Sequence, residues 1–72
     1  MVRFDPKALF AALDAQRQAR GLTWAQVAKE TGVSTATLKR TEQGGRLEVD
    51  GVIAMVGWLD RTVESFTRPS AY

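Results

Sequence analysis

Apolar residues recur along this chain at helical spacing, and no stretch shows a sustained strand-like alternation. Leu9 and Leu13 stand four apart with Phe10 and Ala12 adjoining, which predicts a first helix from about Pro6 to Arg20. Asp5 is placed to cap it, and Pro6 suits its first position. Gly21 follows where a left-handed residue ends a helix. A short second helix is predicted over about Trp24 to Thr31. Thr23 and Gln26 have capping-box spacing, Val27 and Ala28 form the inner face, and Gly32 stops it. Ser34 caps a third helix running to about Gln43, ahead of Gly44-Gly45.

The third and fourth helices differ in composition. Leu38 is the one strongly apolar residue of the third, so that helix faces either solvent or a polar partner. The fourth, about Val49 to Leu59, carries Val49, Val52, Ile53, Met55, Val56, Trp58 and Leu59. These wrap more than one face, so some must cover a second surface. Thr62 is placed to cap a short fifth helix, with Val63 and Phe66 packing back, and residues 67–72 read as a loose tail. The expected architecture is all-α: a compact bundle of four to five helices, with one domain over residues 1–66.

Length and composition narrow the chemistry. A 72-residue chain buries only about 60% of the surface its unfolded form exposes, so tight helix packing or a partner subunit must supply stability. Cysteine and histidine are both absent, which removes disulfides, thiolate sites and the usual zinc ligands. No metal or cofactor is expected. No apolar run approaches membrane-spanning length, and Met1 to Asp5 carry no apolar signal core, so a cytoplasmic protein with no membrane partner is expected. Catalysis is not expected, for no paired carboxylates, phosphate loop or nucleophile motif is recognisable.

Net charge is +2, but its distribution is uneven. Arg17, Arg20, Lys29, Lys39, Arg40 and Arg46 make the middle of the chain basic, against Glu30 and Glu42. Glu48, Asp50, Asp60 and Glu64 make the following third acidic, against Arg61. A basic stripe on one face suits a polyanion partner. Ordinary solvated charge accounts for the same distribution.

The stretch Trp24 to Gln43 has the mechanics of two short helices joined by a tight turn. Ala28 lets the helices approach, Gly32 allows a positive φ, and Val33 and Leu38 anchor the second helix of the pair. Such a pair projects its second helix as a rod that fits a major groove. Gly21-Leu22-Thr23, Val27-Ala28, Gly32-Val33-Ser34, Leu38 and Glu42 then fall in an order that closely resembles the helix-turn-helix of the lambda-repressor and Cro superfamily, also called the Xre family. The resemblance runs from about Leu9 to Phe66. Three positions depart from it: Trp24 stands where glutamine is usual, and Thr31 and Thr41 where large aliphatic residues are usual. The two threonines are expected to soften the core between the motif helices.

The resemblance implies a sequence-specific binder of double-stranded DNA, a small transcriptional regulator reading the major groove with residues 34–43. It places Ser34, Thr35, Ala36, Lys39, Arg40 and Gln43 toward the groove, with Arg46 on the backbone. Their chemistry suits that role: Arg40 and Lys39 donate to guanine, Ala36 or the Thr35 methyl meets a thymine methyl, and Gln43 reaches adenine or phosphate. The free N–H groups at Ser34 to Ala36 suit a phosphate. Trp24 either packs on Arg20 or Lys29 or lies against a DNA sugar. By the same resemblance Arg17 and Glu42 form an internal salt bridge. Trp58 belongs to the core or to a dimer surface. A homodimer would use the fourth helix and the residues after it, with Val52, Val56 and Phe66 at the contact; burial inside the monomer is the other reading of those three. A second function class also fits: an interaction module of the same fold, antitoxin-like or anti-repressor, whose main partner is a protein. An exposed apolar patch on the fourth helix would favour it.

Overall fold

A computed structural model of the chain describes residues 2–44 and 46–69. Strand β1 covers Val2–Phe4, followed by helices α1 (Pro6–Ala19), α2 (Trp24–Thr31), α3 (Thr35–Glu42) and α4 (Val49–Trp58). A single 3-10 turn (Val63–Phe66) leads into strand β2 (Thr67–Pro69). The helical bundle is the expected one, and its boundaries lie within a residue or two of those read from capping residues and glycines.

Each of the first three helices starts where a side chain can take up its free N–H groups. The Asp5 carboxylate accepts from the Ala8 N–H at 3.0 Å, opening α1. At α2 both halves of the capping box form: the Gln26 N–H donates to the Thr23 hydroxyl (3.2 Å), and the Thr23 N–H to the Gln26 side chain (2.8 Å). The Ser34 hydroxyl accepts from the Thr37 N–H at 3.1 Å, opening α3. Thr62 makes no such bond; its hydroxyl meets that of Ser65 at 3.2 Å.

Leu9 and Leu13 of α1, Val27 of α2, Leu38 of α3, and Met55 and Val56 of α4 meet in one core, closed by Val33, Leu59 and Phe66. α1 lies mainly against α3, and α4 against α2, so α3 is held from behind by α1. Burying these nine side chains is the main stabilising contribution, at roughly 1.5–3 kcal/mol for each large one against exposure.

The small sheet departs from the expectation of no strands and a loose tail from Thr67. β1 and β2 pair antiparallel, with Val2 opposite Pro69, Arg3 opposite Arg68 and Phe4 opposite Thr67. The Asp5 N–H extends the contact by donating to the Phe66 carbonyl at 2.6 Å. Three residues per strand are too few for alternation to show in a sequence, and the pairing joins the two ends of the chain, which no local pattern signals. Phe66, buried among α1 and α4, brings the chain back to the start of α1 and so sets up the pairing. The rest of the expected tail, residues 70–72, lies outside the described residues. Among the described residues no helix is long and apolar enough to cross a membrane, and no cluster of acidic side chains suits a metal ion.

Candidate nucleic-acid interface

The turn between α2 and α3 is built from Thr31 to Ser34. Gly32 has φ +76°, a left-handed conformation that costs an L-residue roughly 1–2 kcal/mol. A Cβ on Gly32 would meet nothing within 4 Å, so the backbone angle and not space demands glycine. The Thr31 hydroxyl donates to the Val27 carbonyl (2.9 Å) and accepts from the Val33 N–H (3.1 Å). A larger aliphatic side chain would leave that turn N–H without its partner. Thr41 is fully buried, and its hydroxyl donates to the Thr37 carbonyl (3.1 Å) with the Met55 sulfur 3.8 Å away. The two threonines expected to soften the core therefore have satisfied hydroxyls, and Thr31 adds a bond to the turn.

Leu38 and Thr41, three residues apart, are the buried side of α3. The opposite side is open: Ser34, Ala36, Lys39, Arg40 and Gln43 are exposed, as is Arg46 beyond the helix, and Thr35 is half-buried. The structure thus brings all the expected groove-facing residues of α3 onto or beside one outward surface. Ser34 spends its hydroxyl on the cap, which leaves the Thr35 and Ala36 N–H groups open at the helix start. Arg40 and Arg46 line one cleft of about 300 Å³, together with Ser34, Thr37, Glu48 and Asp50. Among the described residues no ion pair holds Lys39, Arg40 or Arg46. This surface offers unpaired guanidinium and ammonium donors beside free helix N–H groups, the groups that recognise phosphates and base edges.

Of the two expected settings of Trp24, on a neighbouring cation or against a DNA sugar, the ring takes one inside the fold. Its ring stacks on Phe10 of α1, with centroids 5.1 Å apart and planes 17° apart, and the Arg17 guanidinium lies 4.9 Å from its centroid. It is half-buried against the core and ties α2 to α1. The cation on its ring is Arg17, and not Arg20 or Lys29 as expected.

The Arg17–Glu42 bridge is not formed. Arg17 pairs instead with Asp14 at 2.6 Å, one helical turn earlier, and donates to the Leu22 carbonyl at 3.0 Å. These bonds and the Trp24 ring use its guanidinium, while Glu42 stays exposed. The i, i+3 spacing of Asp14 and Arg17 is the sequence signal for this partner. Arg17 thus holds α1 and the α1–α2 loop rather than the bridge to α3 that the resemblance implies. Arg20 meets Glu30 at 3.5 Å and lies 5.4 Å from the centroid of Trp58, whose indole N–H donates to Glu30 at 2.8 Å. Trp58 thereby joins α4 to α1 and α2.

Two of the three expected dimer residues are inside the monomer: Val56 is 5% exposed and Phe66 3%, because both belong to the core that α1, α2 and α4 enclose. Val52 is half-buried. The apolar side chains that α4 leaves outside are Val49 (71%) and Ile53 (55%), with Val63 (39%) nearby on the 3-10 turn. The excess of apolar residues on α4 is real, but helical phase puts a different set of them outward.

Residues 8–54 match a family model described as a helix-turn-helix domain, a span from the first turn of α1 to the middle of α4 that includes the whole α2–turn–α3 unit. No curated protein and no solved structure matches the chain.

Proposed function

The chain belongs to the helix-turn-helix domain family, and on that premise we propose that it binds double-stranded DNA sequence-specifically, as a small regulator of transcription. The observation that carries the reading is the two-sidedness of α3. Leu38 and Thr41 seat it on the core, while Ala36, Lys39 and Arg40 face outward with no competing ion pair among the described residues. Inserted in a major groove, Arg40 and Lys39 donate to guanine O6 and N7, Ala36 or the Thr35 methyl touches a thymine methyl, and Gln43 reaches adenine or phosphate. The helix start at Ser34 to Ala36 and Arg46 hold the phosphate backbone. The role is binding and not catalysis, and its place is where a cell's DNA is. Repressor action and Xre-family membership in the narrow sense belong to the same proposal.

A second copy on α4 would double the contact, with recognition helices about one DNA turn apart, ~34 Å. With Val56 and Phe66 in the core, such a contact has to use Val49, Val52 and Ile53. The exposed apolar side of α4 also supports a protein partner.

Selection from random oligonucleotides with the purified chain, run at two salt concentrations, tests the DNA reading. An enriched motif is the expected result. Retention with a salt slope and no motif would reduce the protein to a non-specific phosphate binder, and no retention would remove the reading.

A further inference from the structure

α4 presents Val49, Val52 and Ile53 at i, i+3 and i+4 to a groove of about 490 Å³. Phe4 of β1, Pro6 at the start of α1, Leu47 of the α3–α4 loop and Val63 of the 3-10 turn supply the rest of its apolar side chains. Val49, Ile53 and Val63 are largely uncovered in the monomer, and with the half-buried Phe4, Leu47 and Val52 they line one groove. Its edge is basic: Arg3 and Arg46 line the groove, and Lys7 lies beside it in the adjoining depression with Arg3 and Phe4. None of the three cations takes part in an ion pair among the described residues. The acids of this region are placed otherwise. Asp5 meets Arg68 at 3.6 Å, and Glu48 and Asp50 line the neighbouring cleft, which Arg40 and Arg46 also line, so Arg3 and Lys7 are the part of the edge farthest from those two acids.

We infer that this groove is a docking site for an acidic amphipathic helix of another protein. The apolar strip takes side chains spaced i, i+3, i+4 and i+7 on such a helix, and its flanking carboxylates meet Arg3, Lys7 and Arg46. A second copy of this chain suits the groove less well, because the groove is lined by two arginines and no carboxylate, so two copies joined groove to groove bring like charges together with nothing in the lining to offset them. An anionic membrane surface suits it less well too, because the half-buried Phe4, Leu47 and Val52 form a groove floor between β1 and α4 that a ridge reaches and a flat sheet of lipid does not. Arg46 belongs to the proposed DNA surface as well, so the test turns on Ile53, Arg3 and Lys7, which the DNA-reading surface of α3 does not include, and failure of either reading leaves the other standing.

The test uses the purified chain and a fluorescent amphipathic peptide with Leu at i, i+3, i+4 and i+7 and Glu between them. Saturable binding is expected, weaker at high salt. It should weaken at least about tenfold with Ile53→Asp and less with Arg3→Gln combined with Lys7→Gln. Replacing Glu by Lys in the peptide should abolish it. Ile53 is more than half exposed, so the variant keeps its fold, checked by an unchanged Tm. Binding indifferent to Ile53→Asp, or to the Glu-to-Lys exchange, overturns the inference. So does sedimentation as a dimer that Ile53→Asp dissolves, which assigns the groove to a second copy. Capture of the chain by anionic vesicles, lost in the same variant, overturns it in favour of lipid.

Discussion

α3 and α4 are consecutive helices of similar length on one core, yet they leave opposite surfaces outside it. α3 commits Leu38 and Thr41 to the interior and shows the solvent Lys39, Arg40, Ala36 and Gln43. α4 commits Met55 and Val56 and shows Val49 and Ile53. A helix held by so few buried residues depends on its neighbours for stability, and α1 behind α3 supplies that support. A helix with apolar residues on both sides is over-provided for one core. The first surplus is charge without a partner and the second is apolar area without cover. Water solvates the charges and leaves the apolar area uncovered, and the two proposed contacts draw on these two surfaces, a polyanion on the polar one and a protein on the apolar one. A core this small can carry two such faces because it delegates little else to the surface.

The sharpest way to break this comparison is to place the same charge on the two sides of α4. Val56→Glu puts a carboxylate into the core cluster of Leu9, Leu13 and Met55, and should destabilise the chain by at least about 3 kcal/mol, enough to leave it largely unfolded at ordinary temperature. Ile53→Glu sits on the open side and should change stability by less than about 0.5 kcal/mol. Urea titration followed by circular dichroism distinguishes them. Equal, small losses would mean that Val56 is not core and that the inside and outside of α4 are exchanged.

On α3 the expected effect is smaller and concerns binding. Arg40→Ala should weaken binding to the preferred DNA site by about 1–3 kcal/mol and relax the preference at one base pair, whereas Lys39→Ala serves as the neighbouring comparison. Measured by anisotropy on the selected site and on single-base variants, a uniform loss over all sequences would make Arg40 a phosphate contact only. Its place beside Arg46 in one cleft makes that outcome a definite structural alternative.

The helices, their caps and the turn at Gly32 are legible in the sequence because each is fixed by residues close together: Asp5 with Ala8, Thr23 with Gln26, Ser34 with Thr37. The groove-facing set on α3 comes from the resemblance, while the sequence by itself offers Leu38 as the one strongly apolar residue of that helix, and Leu38 is buried. What needs the structure is long-range or ambiguous in phase. β1 and β2 are separated by nearly the whole chain. On α4 most positions are apolar, so sequence identifies the excess but not which side faces out, and Val56 and Phe66, for which sequence leaves a dimer contact and burial in the monomer both open, close the core. Position at a helix start leaves Trp24 open to a neighbouring cation or to DNA, and its size lets it reach back to Phe10, which no local spacing signals. Resemblance pairs Arg17 with Glu42, while a carboxylate three residues away lies within easier reach.

The Arg17 pairing has the smallest expected effect. The Arg17 guanidinium donates twice to one Asp14 oxygen, at 3.1 and 2.6 Å, and the Gln18 amide donates to the other at 3.1 Å. Foremost the Arg17 hydrogen bonds, and then that of Gln18, hold the Asp14 carboxyl below its ordinary value of 3.8 against a slight opposing desolvation. The stabilisation is therefore complete where Asp14 is ionised both in the folded and in the unfolded chain, above the ordinary value. As pH falls from there through the lowered value, the unfolded chain takes up the proton first and the advantage disappears. Asp14→Asn should lower Tm slightly and evenly between about pH 6 and 8, and its difference from the parent should shrink below about pH 4. Both side chains are partly exposed, so added salt should shrink it too. A double-mutant cycle gives the complementary reading: coupling between Arg17 and Asp14, and none between Arg17 and Glu42. A Tm difference that persists undiminished into strong acid would show that the carboxylate charge is not what Arg17 uses. Coupling to Glu42 above that to Asp14 would restore the bridge that resemblance implies.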